Sequence, residues 1–163
     1  MPRFGIGGVS GAKDVDQQAA YEAALTLLSS TLAGAQLIHD VGYMDNGTTG
    51  SLEQLVICHE IIGWIKQCTK ELVVDEETLA LSVVDEVVRR DGDFLKTEHT
   101  LRHYREDWYP RLTDRDHFDR WSTSGGTTLR ERARAEVDRI LGEAPAKTLP
   151  VGIHSKLELI VER

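Results

Sequence analysis

Apolar residues recur along the first part of the chain at two different spacings. Phe4, Ile6 and Val9 sit among glycines in FGIGGVS and predict a short strand over residues 4–10, leading into the loop GAKDVD. Tyr21, Leu25, Leu28 and Leu32 then recur at helical spacing, with Ala24 and Leu27 widening the stripe. They predict a helix over residues 16–33, capped by Asp14 or Asp16 and stopped at Gly34. AQLIHDVGY (residues 35–43) is too short for another helix and reads as a second strand. The loop MDNGTTG follows. Ser51-Leu52-Glu53-Gln54 has the form of a capping box and opens a helix over residues 52–70. That helix is apolar at Leu55, Val56, Ile61, Ile62 and Ile65, nearly all round at its middle, so neighbours must cover it. The order strand–helix–strand–helix implies a crossover with the two strands parallel. Both loops then follow carboxyl ends of strands, the edge at which α/β folds bind ligands.

From Val74 onward the chain reads as helical. Asp75-Glu76-Glu77-Thr78 opens a helix carrying Leu79, Val83, Val84, Val87 and Val88, and DGD (residues 91–93) breaks it. Thr97 starts TEHTLRHYREDWYPRL, a helix closing near Pro110. Phe94, Tyr104, Trp108, Tyr109, Phe118 and Trp121 concentrate the aromatic residues here, which suits packing against the α/β part. SGGT is a linker. Thr128-Leu129-Arg130-Glu131 is a second capping box, opening a charged helix to about Leu141, and the tail contains one last short helix. The expected division is an α/β part, residues 1–69, and a helical extension, residues 70–163.

Composition narrows the function. The chain has 163 residues, 40% of them hydrophobic, which supports a packed core. Its formal net charge of -8 argues against nucleic acid or an anionic membrane as partner, since both need clustered Lys and Arg. No apolar run reaches the ~18 residues of a membrane span, and the N-terminus lacks the layout of a signal peptide, so a soluble cytoplasmic protein is expected. Cys58 and Cys68 fall on one predicted helix, roughly 15 Å apart at ~1.5 Å per residue, and read as buried thiols rather than a disulfide.

Several motifs carry little. GIGG lacks the spacing of a dinucleotide loop and the lysine of a phosphate loop. His99 and His103 share a helix face, but HTLRH lacks the glutamate of H-E-x-x-H and no third ligand is evident, so no metal is expected. Cys58-His59-Glu60 are consecutive on a helix and point apart. No spacing suggests a Ser-His-Asp or Cys-His arrangement.

A parallel pair of strands is not stable alone, because parallel sheets are covered on both faces and normally have many strands. The expectation is therefore a part of a larger enzyme, or a chain that pairs with another polypeptide or with itself. GGVSGAKDVDQQAAYE, AGAQLIHDVGYMDNGTTGSLEQLVICHEIIG and DFLKTEHTLRHYREDWYPRL together resemble the C-terminal region of the trimethylamine:corrinoid methyltransferase family. The resemblance runs from about Phe4 to Leu141. The last twenty or so residues match only loosely, and Arg89-Arg90 departs from a Gly-Pro-like turn common there.

The resemblance implies an α/β fold: the last two parallel strands, with their helices, of a TIM (β/α)8 barrel, followed by a helical C-terminal extension. It implies transfer of a methyl group from trimethylamine or a related quaternary amine to a corrinoid. The corrinoid (cobalamin) is not bound permanently; it arrives on a separate corrinoid protein. The family's pyrrolysine position would lie upstream of these residues, so the chain is expected to be catalytically incomplete by itself.

Under the same resemblance His39 and Asp40 are the candidate catalytic pair. Tyr43, Asp45, Ser10, Lys13, Asp16 and Gln18 are candidates for binding substrate, and Gly42, Gly47 and Gly50 would line a corrinoid-docking loop. The residue types suit the task. A trimethylated ammonium offers no hydrogen bond and is held by aromatic faces and carboxylates. Methyl transfer to cobalt(I) is an in-line displacement that depends on positioning and exclusion of water. Structural roles stand beside these. His39–Asp40 could be a structural hydrogen bond, Lys13–Asp16 a loop ion pair, Gln18 a first-turn residue and Tyr43 a core residue. The rival to an enzyme portion is an inactive remnant or an interaction module that binds a missing barrel half. A free helical module over residues 70–141 is a third reading.

Overall fold

The two expected strands form and pair in parallel, but each is shorter than predicted, residues 4–6 and 37–39. In this computed structural model, which describes residues 1–144 together with Gly152, Ile153, Leu157 and Ile160, β1 (Phe4–Ile6) runs parallel to β2 (Leu37–His39). Phe4 lies opposite Leu37, Gly5 opposite Ile38 and Ile6 opposite His39. The predicted last short helix falls largely outside the described residues.

Helix α1 (Gln17–Leu32) makes the crossover. Of the two candidate caps it uses Asp16, which is extended at φ -127 and accepts from Ala19 N–H over 3.1 Å. Gly34, at φ 75, ends the helix as expected. The buried stripe differs from the expected one. Ala19, Ala23 and Leu27 face the core, while Tyr21, Leu25 and Leu32 are exposed. The reason is steric: the alanines let helix α2 (Leu52–Cys68) lie close, and Gln54 and Cys58 of α2 are fully buried. Ala23, Leu27, Cys58 and Ile65 form the core, with Leu28, Ile38, Val41, Ile61 and Ile62 packed on it.

The capping box at Ser51 forms only by half. Ser51 Oγ accepts from Gln54 N–H over 3.2 Å, but the Gln54 side chain turns inward and donates to Ala19 O over 3.0 Å. It ties α2 to α1 instead of closing its own first turn. Of the cysteines, Cys58 is buried but Cys68 is exposed, because it is the last residue of α2 and lies past the packed part of that helix.

Between β2 and α2 lies a feature absent from the sequence reading. A small antiparallel hairpin joins β3 (Tyr43–Met44) to β4 (Thr49–Gly50) around a single tight turn at Asp45–Gly47.

The expected helix from Asp75 is broken in two, α3 (Glu76–Leu79) and α4 (Leu81–Arg89). Ala80 between them is left-handed at φ 48. An alanine disfavours that conformation by ~1–2 kcal/mol, and contacts from Glu77 to the next helix hold α3 in place against this cost. That helix, α5 (Glu98–His103), is far shorter than the segment predicted to reach Pro110. Beyond it the chain unwinds so that its backbone N–H groups can reach Glu60 on α2: Glu60 accepts from Arg111, Leu112 and Thr113 at 3.1, 2.9 and 2.8 Å.

Trp108 seats against Gly63 and meets Trp64 edge-on, with ring centroids 5.4 Å apart. Only a glycine at position 63 leaves room for it. A short helix, α6 (Phe118–Thr123), precedes the linker and was not predicted. The second capping box forms in full, and α7 (Leu129–Glu143) packs Ala133 and Val137 onto α2. The helical part therefore covers the outer side of α2.

The described residues thus form a mixed α/β arrangement of helices and a few short strands. None of the described helices is long and apolar enough to cross a membrane.

Candidate functional site

The backbone sets the site. The parallel register of β1 and β2 continues past the strands as a loop-to-loop zipper. Gly7 N donates to His39 O over 3.1 Å, Gly42 N to Gly8 O over 3.1 Å, and Ser10 N to Tyr43 O over 3.0 Å. Farther out Asp45 N donates to Ala12 O and Asn46 N to Ser10 O, each over 3.0 Å. The loops SGAKD and HDVGYMDNGTTG are thereby joined at the carboxyl edge of the sheet, and most candidate residues converge there.

His39 ends β2, and its Nδ1 lies 3.0 Å from Asp40 Oδ1. Asp40 is left-handed at φ 70, which turns the chain out of the strand. Both side chains are about half exposed. Tyr43 in β3 is exposed rather than part of the core. Asp45 accepts from Thr48 Oγ1 over 2.7 Å and pairs with Lys13 Nζ at 3.1 Å. The Thr48 hydroxyl and then the Lys13 ammonium hold its carboxyl below the usual range. Lys13 therefore spans the two loops, and the expected Lys13–Asp16 pair is replaced because Asp16 is committed to the α1 cap.

Ser10 is buried. Its hydroxyl donates to Glu22 Oε2 over 2.6 Å and accepts from Ala12 N–H over 2.9 Å. Gln18 Nε2 donates to Glu22 Oε1 over 2.9 Å, and Gly11 N–H donates to Glu22 Oε2 over 2.7 Å. Glu22 is thus the hub of the first loop, and the Ser10 hydroxyl foremost holds its carboxyl below the usual range. The sequence reading missed it. The available signal was Gln18 and Glu22 at i, i+4, one helical face turned toward the loop. Asn46 was also missed; its left-handed φ of 56 forms the turn, and its Oδ1 approaches Gly11.

The three glycines differ. Gly42 is at φ 83, and a Cβ there would lie 2.9 Å from Leu55 Cβ, so the helix start already fills the space. Gly47, at φ 90, has no described atom near its missing Cβ, and Gly50 has only Gly42 O at 3.9 Å.

Two peripheral motifs resolve differently. Cys58, His59 and Glu60 diverge as expected: Cys58 faces Gly8 O, His59 faces solvent and Glu60 faces residues 111–113. Burial raises the Cys58 thiol pKa, which disfavours the nucleophilic thiolate. His99 and His103, by contrast, both meet Glu77, His99 at its backbone carbonyl and His103 at its carboxylate; Glu77 lies 22 residues upstream of His99, a distance along the chain that hid the third group.

A family model described as "Trimethylamine methyltransferase (MTTB)" matches residues 1–163. Trimethylamine methyltransferase MttB of Desulfitobacterium hafniense (strain DSM 10664 / DCB-2) is 33% identical over 99% of this chain and 32% of its own length. MttB1 of Methanosarcina acetivorans is 34% identical over 100% of this chain and 33% of its own length. Glycine betaine methyltransferase of D. hafniense (strain Y51) is 31% identical over 99% of this chain and 34% of its own length. The chain spans about a third of the length of these curated relatives. With a family match over its whole length, this chain belongs to the trimethylamine methyltransferase family.

Proposed function

We propose that this chain is the C-terminal portion of a methyltransferase that moves a methyl group from trimethylamine or a related quaternary amine to the cobalt of a corrinoid held by a separate protein. The observation that carries this reading is the exposure of the parallel pair. Phe4, Ile6 and Leu37 are 68%, 56% and 54% exposed, although such strands are normally covered on both faces. Leu25 and Leu32 of α1 are exposed with them. These faces suit the last two staves of a (β/α)8 barrel, residues 1–69, whose other strands come from the rest of the family's length. The helical extension is residues 70–163, and its described part braces α2 through Trp108, residues 111–113 and α7.

In this reading the zipped loops line the barrel mouth. Tyr43 offers an aromatic face, and Asp40 and Asp45 offer carboxylates, to a methylated ammonium. The cation competes with Lys13 for Asp45, which favours a substrate that brings its own positive charge. His39, held by Asp40, orients the substrate. Ser10 and Gln18 act through Glu22, and Asp16 through the α1 cap, to hold the loop; all three are positioning residues.

The corrinoid reaches the mouth on its carrier protein. The open space at Gly47 and Gly50 suits close approach of a bulky group, whereas the Leu55 contact leaves Gly42 no such room. When present, the corrinoid supplies the cobalt that accepts the methyl group. The chain's own residues hold the amine in line and exclude water. A cytoplasmic setting fits both the partner and the two free thiols.

The test is complementation. The chain is mixed with a polypeptide carrying the preceding strands of a family member, a corrinoid protein and trimethylamine or glycine betaine. Size exclusion is expected to show a stoichiometric complex, and methyl transfer is expected only in the mixture. Turnover by the chain alone would sink the view that it is incomplete. A complex without turnover would favour the inactive interaction module.

A further inference from the structure

His99 and His103 stand one turn apart on α5, with ring centroids separated by 4.5 Å. Glu77, from the separate helix α3, comes up to both. Its Oε1 lies 2.9 Å from His103 Nε2 and 4.0 Å from His99 Nε2, and its backbone carbonyl lies 2.9 Å from the same His99 nitrogen. Ligands bonded at ~2.1 Å around a tetrahedral ion stand about 3.4 Å apart. The two imidazole–carboxylate separations bracket that spacing; an entering ion takes the place of the protons now on the two Nε2 atoms, which are released to solvent, and small side-chain rotations free His99 from the Glu77 carbonyl. Two imidazoles and one carboxylate are a donor set for a borderline divalent cation, not for calcium or magnesium, which favour oxygen alone.

We propose that Glu77, His99 and His103 bind a divalent cation of the zinc class, with water in the remaining position. An independent observation supports this. His103 Nδ1 lies 2.8 Å from Glu106 Oε2, the outer carboxylate–histidine contact that orients a metal-bound imidazole, and it leaves Nε2 directed at the site. The His99 and His103 side chains are partly covered, at 22% and 31% exposure. Arg102 Nη1 rests 3.0 Å from Glu77 Oε1 and neutralises it; its side chain is mostly in solvent, and the entering ion displaces it. The bound ion clamps α3 to α5 across the break at Ala80. Its role is structural, and it lies in the helical extension rather than at the strand-end loops.

The test needs no methyl transfer and is independent of the reading above. The full chain, carrying Cys68→Ser so that the exposed thiol does not compete, is titrated with Zn2+ against a chromogenic chelator. One equivalent is expected to bind, and Zn2+ is expected to raise the thermal midpoint. Glu77→Gln and His103→Asn each weaken binding at least about tenfold, and Glu106→Gln weakens it about tenfold through the outer contact. His59→Ala leaves it unchanged. The replacements at Glu77, His103 and Glu106 keep a polar side chain, and metal-free circular dichroism checks each fold. No stoichiometric binding, or binding unchanged in the Glu77→Gln and His103→Asn variants, overturns the proposal.

Discussion

Glu60 Oε1 accepts the backbone N–H of Thr113 over 2.8 Å, joining the middle of α2 to a segment more than fifty residues later. Leu112 and Arg111 donate to the same carboxylate, so both oxygens of a buried charge have backbone donors. Burial alone would raise its pKa; the three donors outweigh it and hold the carboxyl low. Glu60→Ala leaves these donors without an acceptor and is expected to cost about 3 kcal/mol, read from the urea midpoint. Residues 108–115 should also become the first site of proteolytic cleavage. Unchanged stability would mean that the segment is held by its other contacts, Trp108 on Gly63 and Arg132 Nε on Leu112 O.

Glu53, in the first turn of α2, pairs with Arg134 of α7 at 2.7 Å. The Arg134 guanidinium, foremost, holds the Glu53 carboxyl at about 2 against an ordinary 4.5. A depressed carboxyl stabilises the fold above its unfolded pKa and loses that contribution as pH falls through the folded one. The contribution of this pair is therefore complete above about pH 4.5 and fades toward pH 2. Glu53→Gln is expected to cost about 1 kcal/mol near neutrality, well below the full shift, because the Arg134 side chain is 64% exposed. Its thermal midpoint should converge on that of the parent as pH approaches 2. A deficit that persists there would assign the loss to packing.

Gly42 and Gly47 both have positive φ, but only Gly42 faces a wall. Gly42→Ala is expected to cost about 3 kcal/mol, from backbone strain and the clash with Leu55, and Gly47→Ala only about 1 kcal/mol from the backbone. In the complemented enzyme a bulkier Gly47→Leu should raise the half-saturating concentration of corrinoid protein severalfold with little change in turnover at saturation. Equal stability losses for the two alanines would contradict the packing difference.

His39 and Tyr43 have half-exposed or exposed side chains at the joined loops, so removing them should leave stability within ~0.5 kcal/mol. His39→Ala and Tyr43→Ala are each expected to lower methyl transfer in the complemented enzyme at least about tenfold. Tyr43→Phe should retain most activity, because an amine cage uses the ring face and not the hydroxyl. Parent-like rates in both alanine variants would remove these residues from the site.

Local chemistry was legible in the residues themselves. Ser51 and Thr128 were readable as helix caps, and the α1 cap was narrowed to Asp14 or Asp16, because a cap is decided within four positions of the chain. The parallel strands followed from the order of elements, since a helical crossover allows little else. Tertiary structure alone decided which face of α1 is buried, because Ala19 and Ala23 outcompete the larger leucines only once α2 lies close. It alone diverted Gln54 from its own cap to Ala19 and broke the helix at Ala80. It also brought Glu22 to Ser10 and Glu77 to His103. These are meetings between residues far apart in the chain, and periodicity has no access to them: spacing tells which side chains share a face, while packing chooses what that face will meet.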